Sequence, residues 1–238
     1  MPDEFISIGD AARLLDVSID TLRRWDESGK LKAIRTSGGH RVYRKHDIEI
    51  FLNDLWAIAS EWVSSSAPPE LPNSVYCPTS PVFQARLGKM QAILKDANAI
   101  EHFSLLVAMA GEIGDNSFAH NLGNWPDVPG VLFAFDINKK QIILADRGRG
   151  VLKTLKRVRP ELVTHEEALR VAFTEVVTGR EPEKRGNGLK FVRNIIQDYP
   201  IDLLFQTGDA LLELNRKQID LRIIQRPPIK GCLVFITY

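Results

Sequence analysis

The spacing of apolar positions changes period several times along the chain, and each change predicts an element. From Ser7, the stretch SIGDAARLL puts Ala11, Leu14 and Leu15 on one helical face, with Ser7 as N-cap and Asp10 three residues on. The residues DVS break that pattern. Ser18 then caps a second helix, IDTLRRWDESG, in which Leu22 and Trp25 face inward, Asp20, Thr21, Arg23 and Arg24 point outward, and Gly29 supplies the stop. Period two follows: strands over about 33–36 and 41–44, joined across Ser37, Gly38 and Gly39, make a short hairpin. A third helix over about 47–63 spaces Ile48, Phe51, Leu55, Ile58, Ala59 and Trp62 three and four apart. That stripe is broader than so small a head needs, so its outer part is expected to cover a second domain or another copy of the chain.

Residues 64–81, SSSAPPELPNSVYCPTSP, concentrate serine and proline, which fix backbone angles without supplying a core, and they read as a linker. The division is therefore a head over 1–63, a linker over 64–81 and a C-terminal domain over 82–238. In that domain helices are expected over about 81–96 and 99–121, strands at VLFAFDI and QIILADR, and a helix at EEALRVAFTEVV. After a loop come a helix at GLKFVRNIIQDY and strands at DLLFQT, ALLELN and GCLVFITY. Helices mixed with hairpin-linked strands point to an antiparallel or mixed sheet with helices on one face.

Composition narrows the class without naming a function. The chain has 238 residues, 44% hydrophobic and 26% charged, which excludes disordered and fibrous classes. Its 31 basic and 30 acidic residues leave a net charge of +1, so a surface for nucleic acid has to be local. Cys77 and Cys232 lie far apart with no C-x-x-C pair, which predicts neither a disulfide framework nor a zinc site and makes a reduced cytoplasm the expected compartment. The start, MPDEFISIGD, is acidic, and no run approaches about 18 apolar residues, so neither an export signal nor a membrane span is expected.

The local basic surface is in the head, at Arg23, Arg24, Lys30, Lys32, Arg35, Arg41, Arg44 and Lys45, opposed by Asp26 and Glu27. A solvated charged face would account for the charges alone. The order of elements points further, because a second helix can enter the major groove while a β-wing adds contacts beside it. Residues 5–52, with LRRW in the second helix and GHRVY in the hairpin, resemble the winged helix-turn-helix of MerR and excisionase-type proteins. The resemblance implies a mostly α head with a β-hairpin wing that binds double-stranded DNA. It places Ser18, Thr21, Arg23 and Arg24 on the recognition helix and Arg35, His40, Arg41 and Tyr43 at the wing. Val42 stands where the family has a second arginine, which weakens the wing's hold. Regulators of this type dimerise through a long helix after the head; the linker cuts that helix short at Ser64, so a homodimer is expected through the second domain.

Three motifs follow in the C-terminal domain. GEIGDNSFAHN spaces Glu112, Asn116 and His120 four apart on one helical face. IILADRGRGV ends an apolar strand in Asp146, Gly148 and Gly150, a turn that lets backbone approach a planar base or a phosphate. KRGNGLKFV sets Gly186 and Gly188 before a helix, where free N–H groups could hold phosphate beside Lys184 and Arg185. Singly, each has a plain structural explanation: an exposed helix face, a common turn and a glycine-capped loop. In this order they resemble the ATPase fold shared by gyrase, mismatch-repair proteins, the large heat-shock chaperone and histidine kinases, the GHKL or Bergerat fold.

That resemblance covers about 86–238 and implies an α/β sandwich of the histidine-kinase-like ATPase type, with ATP and Mg²⁺ between the helices under a lid over about 174–185. By position, Asn116 would hold Mg²⁺, Asp146 would accept a hydrogen bond from the adenine amino group, and Gly148 and Gly150 would shape that pocket. Lys184, Arg185, Gly186 and Gly188 would meet the phosphates, and His120 belongs to the same ATP-binding set. Glu112 matches the general base of the hydrolytic members. The departures are Gly111 and Gly114 in the motif helix, Arg147 beside the base pocket, Asn187 between the lid glycines, and Cys232 where a threonine is usual.

Joined, the two resemblances predict a DNA-binding transcription regulator controlled by ATP binding, with hydrolysis left open. One alternative is a serine/threonine protein kinase of the anti-sigma-factor type acting on a regulatory protein partner. Another is a DNA-binding protein whose C-terminal domain is a nucleotide-inert interaction module. AIEHFSLL around His102 does not look like a phosphoacceptor helix, which counts against autophosphorylation there.

Overall fold

The head forms as local sequence dictates. In helix α1 (Ile8–Leu15) the Ser7 hydroxyl accepts from the Asp10 N–H, and in α2 (Ile19–Ser28) Ser18 accepts from the Thr21 N–H. The computed structural model of the chain describes residues 5–45, 47–48, 51, 54–96, 101–175, 188–217 and 220–238. Gly29 ends α2 at φ 81°, a left-handed conformation that a side chain would strain. Ala11, Ala12 and Leu15 turn inward, whereas Leu14, expected beside them, is 55% exposed. Adjacent helical residues stand about 100° apart, so burying Leu15 beside Ala11 rotates Leu14 to solvent. Strands β1 (Phe5–Ser7), β2 (Ile34–Arg35) and β3 (Arg41–Arg44) pair antiparallel in the order β1-β3-β2. β1 is an addition to the expected hairpin.

The third helix differs from expectation. Lys45, Asp47, Ile48 and Phe51 are helical, but Asp54 accepts from the Ala57 N–H and starts a separate helix, α3 (Leu55–Ser64). Asp54 is a strong N-cap, and that ends the single helix expected over 47–63. Ile48 joins the head core with Leu22, Trp25 and Tyr43, while Leu55, Ile58, Ala59, Trp62 and Val63 pack against the sheet of the C-terminal part. Phe51 touches both cores.

The C-terminal part contains β4 (Tyr76–Cys77), α4 (Ser80–Asp96), α5 (Phe103–Asn121), β5 (Val131–Asp136) and β6 (Gln141–Asp146). Then come α6 (Gly150–Leu155), α7 (His165–Thr174), α8 (Gly188–Asp198), β7 (Asp202–Thr207), β8 (Ala210–Leu214), β9 (Arg222–Gln225) and β10 (Cys232–Thr237). Its strands form one antiparallel sheet in the order β4-β5-β6-β10-β7-β8-β9. The whole is mixed α/β with a large antiparallel sheet. β4 lies inside the span read as linker, and β4, β9 and α6 add to the expected elements.

Side-chain alternation divides the sheet between two layers. Val131, Phe133, Ile142, Leu144, Val234 and Ile236 face a core with α4, α5, α7 and α8. Leu132, Ala134, Ile143, Ala145 and Leu233 face α3. The expectation of helices on one face is therefore corrected, since α3 covers the other. Gly111 and Gly114 have a packing role: α5 crosses α4 there, and a Cβ on Gly114 would stand 2.1 Å from Phe83 Cζ.

Candidate functional site

The recognition helix and wing are fixed to one another by a carboxylate. Asp26, buried near the end of α2, accepts from Arg41 Nε at 2.7 Å, from Arg35 Nη2 at 3.3 Å and from the Ala33 N–H at 3.0 Å. Hydrogen bonding to Arg41 holds its carboxyl below the usual carboxylate range. Asp26 thus offsets the wing's charge and also sets the wing's angle. At the wing tip the Thr36 N–H donates to the His40 carbonyl at 2.9 Å, and His40 is exposed.

Of the residues expected to touch DNA, Ser18, Arg23, Arg24, Arg35 and His40 are exposed, and Arg41 is partly covered by its bonds to Asp26 and Glu27. Arg23 pairs with Asp20 at 2.7 Å. Two are corrected. Tyr43 is fully buried and its hydroxyl donates to the Leu22 carbonyl at 3.1 Å, so it supports the recognition helix from beneath. Thr21, expected outward, is 4% exposed on the Trp25 face of α2, and its hydroxyl donates to Glu70, a linker residue that also accepts from Arg24.

In the C-terminal part, Asp146 ends β6 on the α5 side, in phase with Ile142 and Leu144. Its Oδ2 accepts from the Ser117 hydroxyl at 2.7 Å and its Oδ1 from the Gly148 N–H at 2.8 Å. Burial pushes the Asp146 carboxyl up, against the pull of these donors. The following turn closes onto α5: the Asn121 amide oxygen accepts from the Arg149 N–H at 2.9 Å. A Cβ on Gly148 would collide with the Asn121 side chain. Gly150, at φ 70°, opens α6 beside Thr207, whose hydroxyl accepts from the Val151 N–H at 3.1 Å. Burial raises the Cys232 thiol well above its usual range.

Glu112 is half-buried and lies against Gly188, where α8 begins and a Cβ would strike the carboxylate. Asn116 is half-buried and His120 exposed on the same helix. Lys184, Arg185 and Gly186, together with most of the expected lid, lie outside the described residues. The face of α5 that meets Asp146 carries Ser117 and Asn121, which the sequence reading passed over. Their own spacing of four was the available signal, one position on from Glu112, Asn116 and His120. Among the described residues no group of histidine, cysteine, aspartate and glutamate could hold a metal ion, and no helix is long and apolar enough to cross a membrane.

Comparison with known proteins matches residues 7–43 to the family model described as "MerR family regulatory protein". Those residues form a MerR-type helix-turn-helix domain. The match makes DNA-binding transcription regulation the coarse function of this head. Over 77 residues the chain is also 34% identical to the type II methyltransferase M.Eco47II of Escherichia coli, covering 32% of this chain. The chain spans 18% of the length of that relative.

The helix that follows the MerR-type head, α3, is held by the residue after Asp146. Arg147, fully buried, points to the opposite face of the sheet, in phase with Ile143 and Ala145. It donates to Asp127 at 3.0 and 2.5 Å, to the Ser65 carbonyl at 3.0 Å and to the Trp62 carbonyl. It therefore closes the C-terminal end of α3, and the bulk expected beside a base pocket is on the other side of the sheet. Lys230 joins the cluster, donating at 2.8 Å to both Asp127 and the Ser66 carbonyl.

Proposed function

We propose that the protein is a DNA-binding transcription regulator whose head is controlled by occupancy of its C-terminal part, with Mg·ATP as the controlling ligand. The observation that carries the control is the adjacency of Asp146 and Arg147. One ends β6 on the α5 layer, bonded to Ser117; the next reaches through to the opposite layer and locks the end of α3, the helix that follows the head. A ligand that moves the turn at Asp146 has a mechanical route to the head.

Support for ATP in particular comes from two contacts on α5: Asp146 and its Gly148 turn lie against Ser117 and Asn121, and Gly188 lies against Glu112. In this reading Asp146 takes the adenine amino group, Gly148 and Gly150 shape the base pocket, and Asn116 carries Mg²⁺ with His120 nearby. Lys184, Arg185, Gly186 and Gly188 receive phosphates. Glu112 would have to leave the start of α8 to activate water. α3 is buried on its own sheet, so a homodimer in this account forms through another surface.

One observation favours a nucleotide-inert module instead: both Asp146 oxygens already bond within the chain and the residue is 3% exposed. Titration calorimetry with Mg·ATP separates the readings. The expected result is binding by the wild type and a loss of about 10-fold or more in Asp146→Ala, the scale of a truncated, hydrogen-bonded buried carboxylate. No heat from a folded wild type would leave the inert module standing.

A further inference from the structure

We infer that the strap between α3 and β4 is an internal competitor for DNA, with the Glu70 carboxylate seated on the recognition helix where a DNA phosphate would sit. The inference rests on DNA binding by the head and is independent of ATP.

One carboxylate engages two residues of α2. Glu70 Oε2 accepts from the Thr21 hydroxyl, and Glu70 Oε1 accepts from Arg24 Nη2. Ser18 Oγ stands 2.9 Å from Thr21 Oγ1 at the start of that helix. A hydroxyl and a guanidinium offered to two oxygens of one anion is the set of donors that fixes a phosphate on a DNA-binding helix. Thr21 is buried on the same face of α2 as Trp25, and the strap closes over its hydroxyl.

The strap is built to present this group. Its start is held by Arg147 and Lys230 on the carbonyls of Ser65 and Ser66. Its far side is held where the Asn73 N–H donates to the Asp16 carbonyl at 3.4 Å. Pro68, Pro69 and Pro72 flank Glu70, so little backbone entropy opposes its placement. Beneath the strap lies an open cleft of about 360 Å³, lined by Val17 and Thr21 of the head, Pro68 and Glu70 of the strap, and Trp62 and Tyr76.

The clamp is weak by construction. Arg24 and Glu70 are 61% and 48% exposed, a pairing class that contributes little in water. DNA offering several phosphates displaces it. The strap therefore lowers the head's affinity without abolishing it, and anything that shifts the anchor at Arg147 tunes the penalty.

The test is fluorescence anisotropy of the full chain on a labelled mixed-sequence duplex in low salt, comparing wild type, Glu70→Gln, Arg24→Ala and the double variant. Glu70→Gln is expected to bind about 2–5-fold more tightly. Arg24→Ala is expected to weaken Glu70→Gln by more than it weakens the wild type, because only there is the guanidinium free for phosphate. Equal affinity of wild type and Glu70→Gln would overturn the clamp. So would a gain of the same size with alanine at position 24, which would mean only that a negative charge had been removed. No binding by any of the four proteins would overturn the DNA-binding reading itself, and the clamp with it.

Discussion

Arg147→Ala is expected to cost about 3–5 kcal/mol of folding stability, the penalty for removing one partner of a buried ion pair. The guanidinium is fully buried and serves Asp127 with two donors and the carbonyls of Trp62 and Ser65 with others. Its loss strands these acceptors, and alanine supplies no donor. Asp127 keeps Lys230 at 2.8 Å, which limits the damage on that side. In calorimetry the change should appear as a Tm lower by roughly 6–20 °C for a chain of this size. Arg147→Lys should recover only part of it, because an ammonium cannot fork between a carboxylate and the end of a helix. A Tm within about 2 °C of wild type would show that α3 is held by its apolar face alone.

Trp62→Ala is expected to be as severe, about 3–5 kcal/mol, through a cavity between α3 and the sheet. Trp62 is 1% exposed, packs among Leu132, Ala145 and Leu233, and meets Tyr76 edge-on at 6.4 Å between ring centres. Its carbonyl is also an Arg147 acceptor, so the two substitutions disrupt one junction. Their combination should therefore cost less than the sum of the two, which urea titrations of the single and double variants would measure. Strict additivity would separate the arginine anchor from the apolar contact.

Much of the head was legible because its determinants are local. Ser7, Ser18 and Gly29 act within one turn of themselves, and the caps form where the sequence puts them. Tyr43 shows the limit of resemblance: its position in the wing motif suggested a DNA contact, while burial beneath Leu22 is decided by packing of β3 on α2. Thr21 was misjudged for a different reason. It shares a face of α2 with buried Trp25, and its hydroxyl donates to a residue 49 positions away. No local pattern in SSSAPPELPNS carries that contact.

In the C-terminal part the strands were legible, and so, in retrospect, was the second layer. VLFAF and IILA are unbroken apolar runs, the mark of strands covered on both faces rather than one. The broad stripe on the helix after the head supplies the cover, from Leu55 onward. Asp54, between the two halves of that stripe, was the visible sign that it divides. The alternation Ile143, Ala145, Arg147 also predicts which way Arg147 turns. Its partners Asp127, Trp62 and Ser65 come from distant segments, and their convergence is a property of the fold.

If the C-terminal part controls the head, duplex affinity of the full chain differs with and without saturating Mg·ATP, occupancy being verified in the same samples. A coupling free energy of ordinary size predicts a change of about 5–150-fold, since a ligand shifts an equilibrium only by its difference in affinity for the two states. Identical affinities with ATP bound would contradict the account.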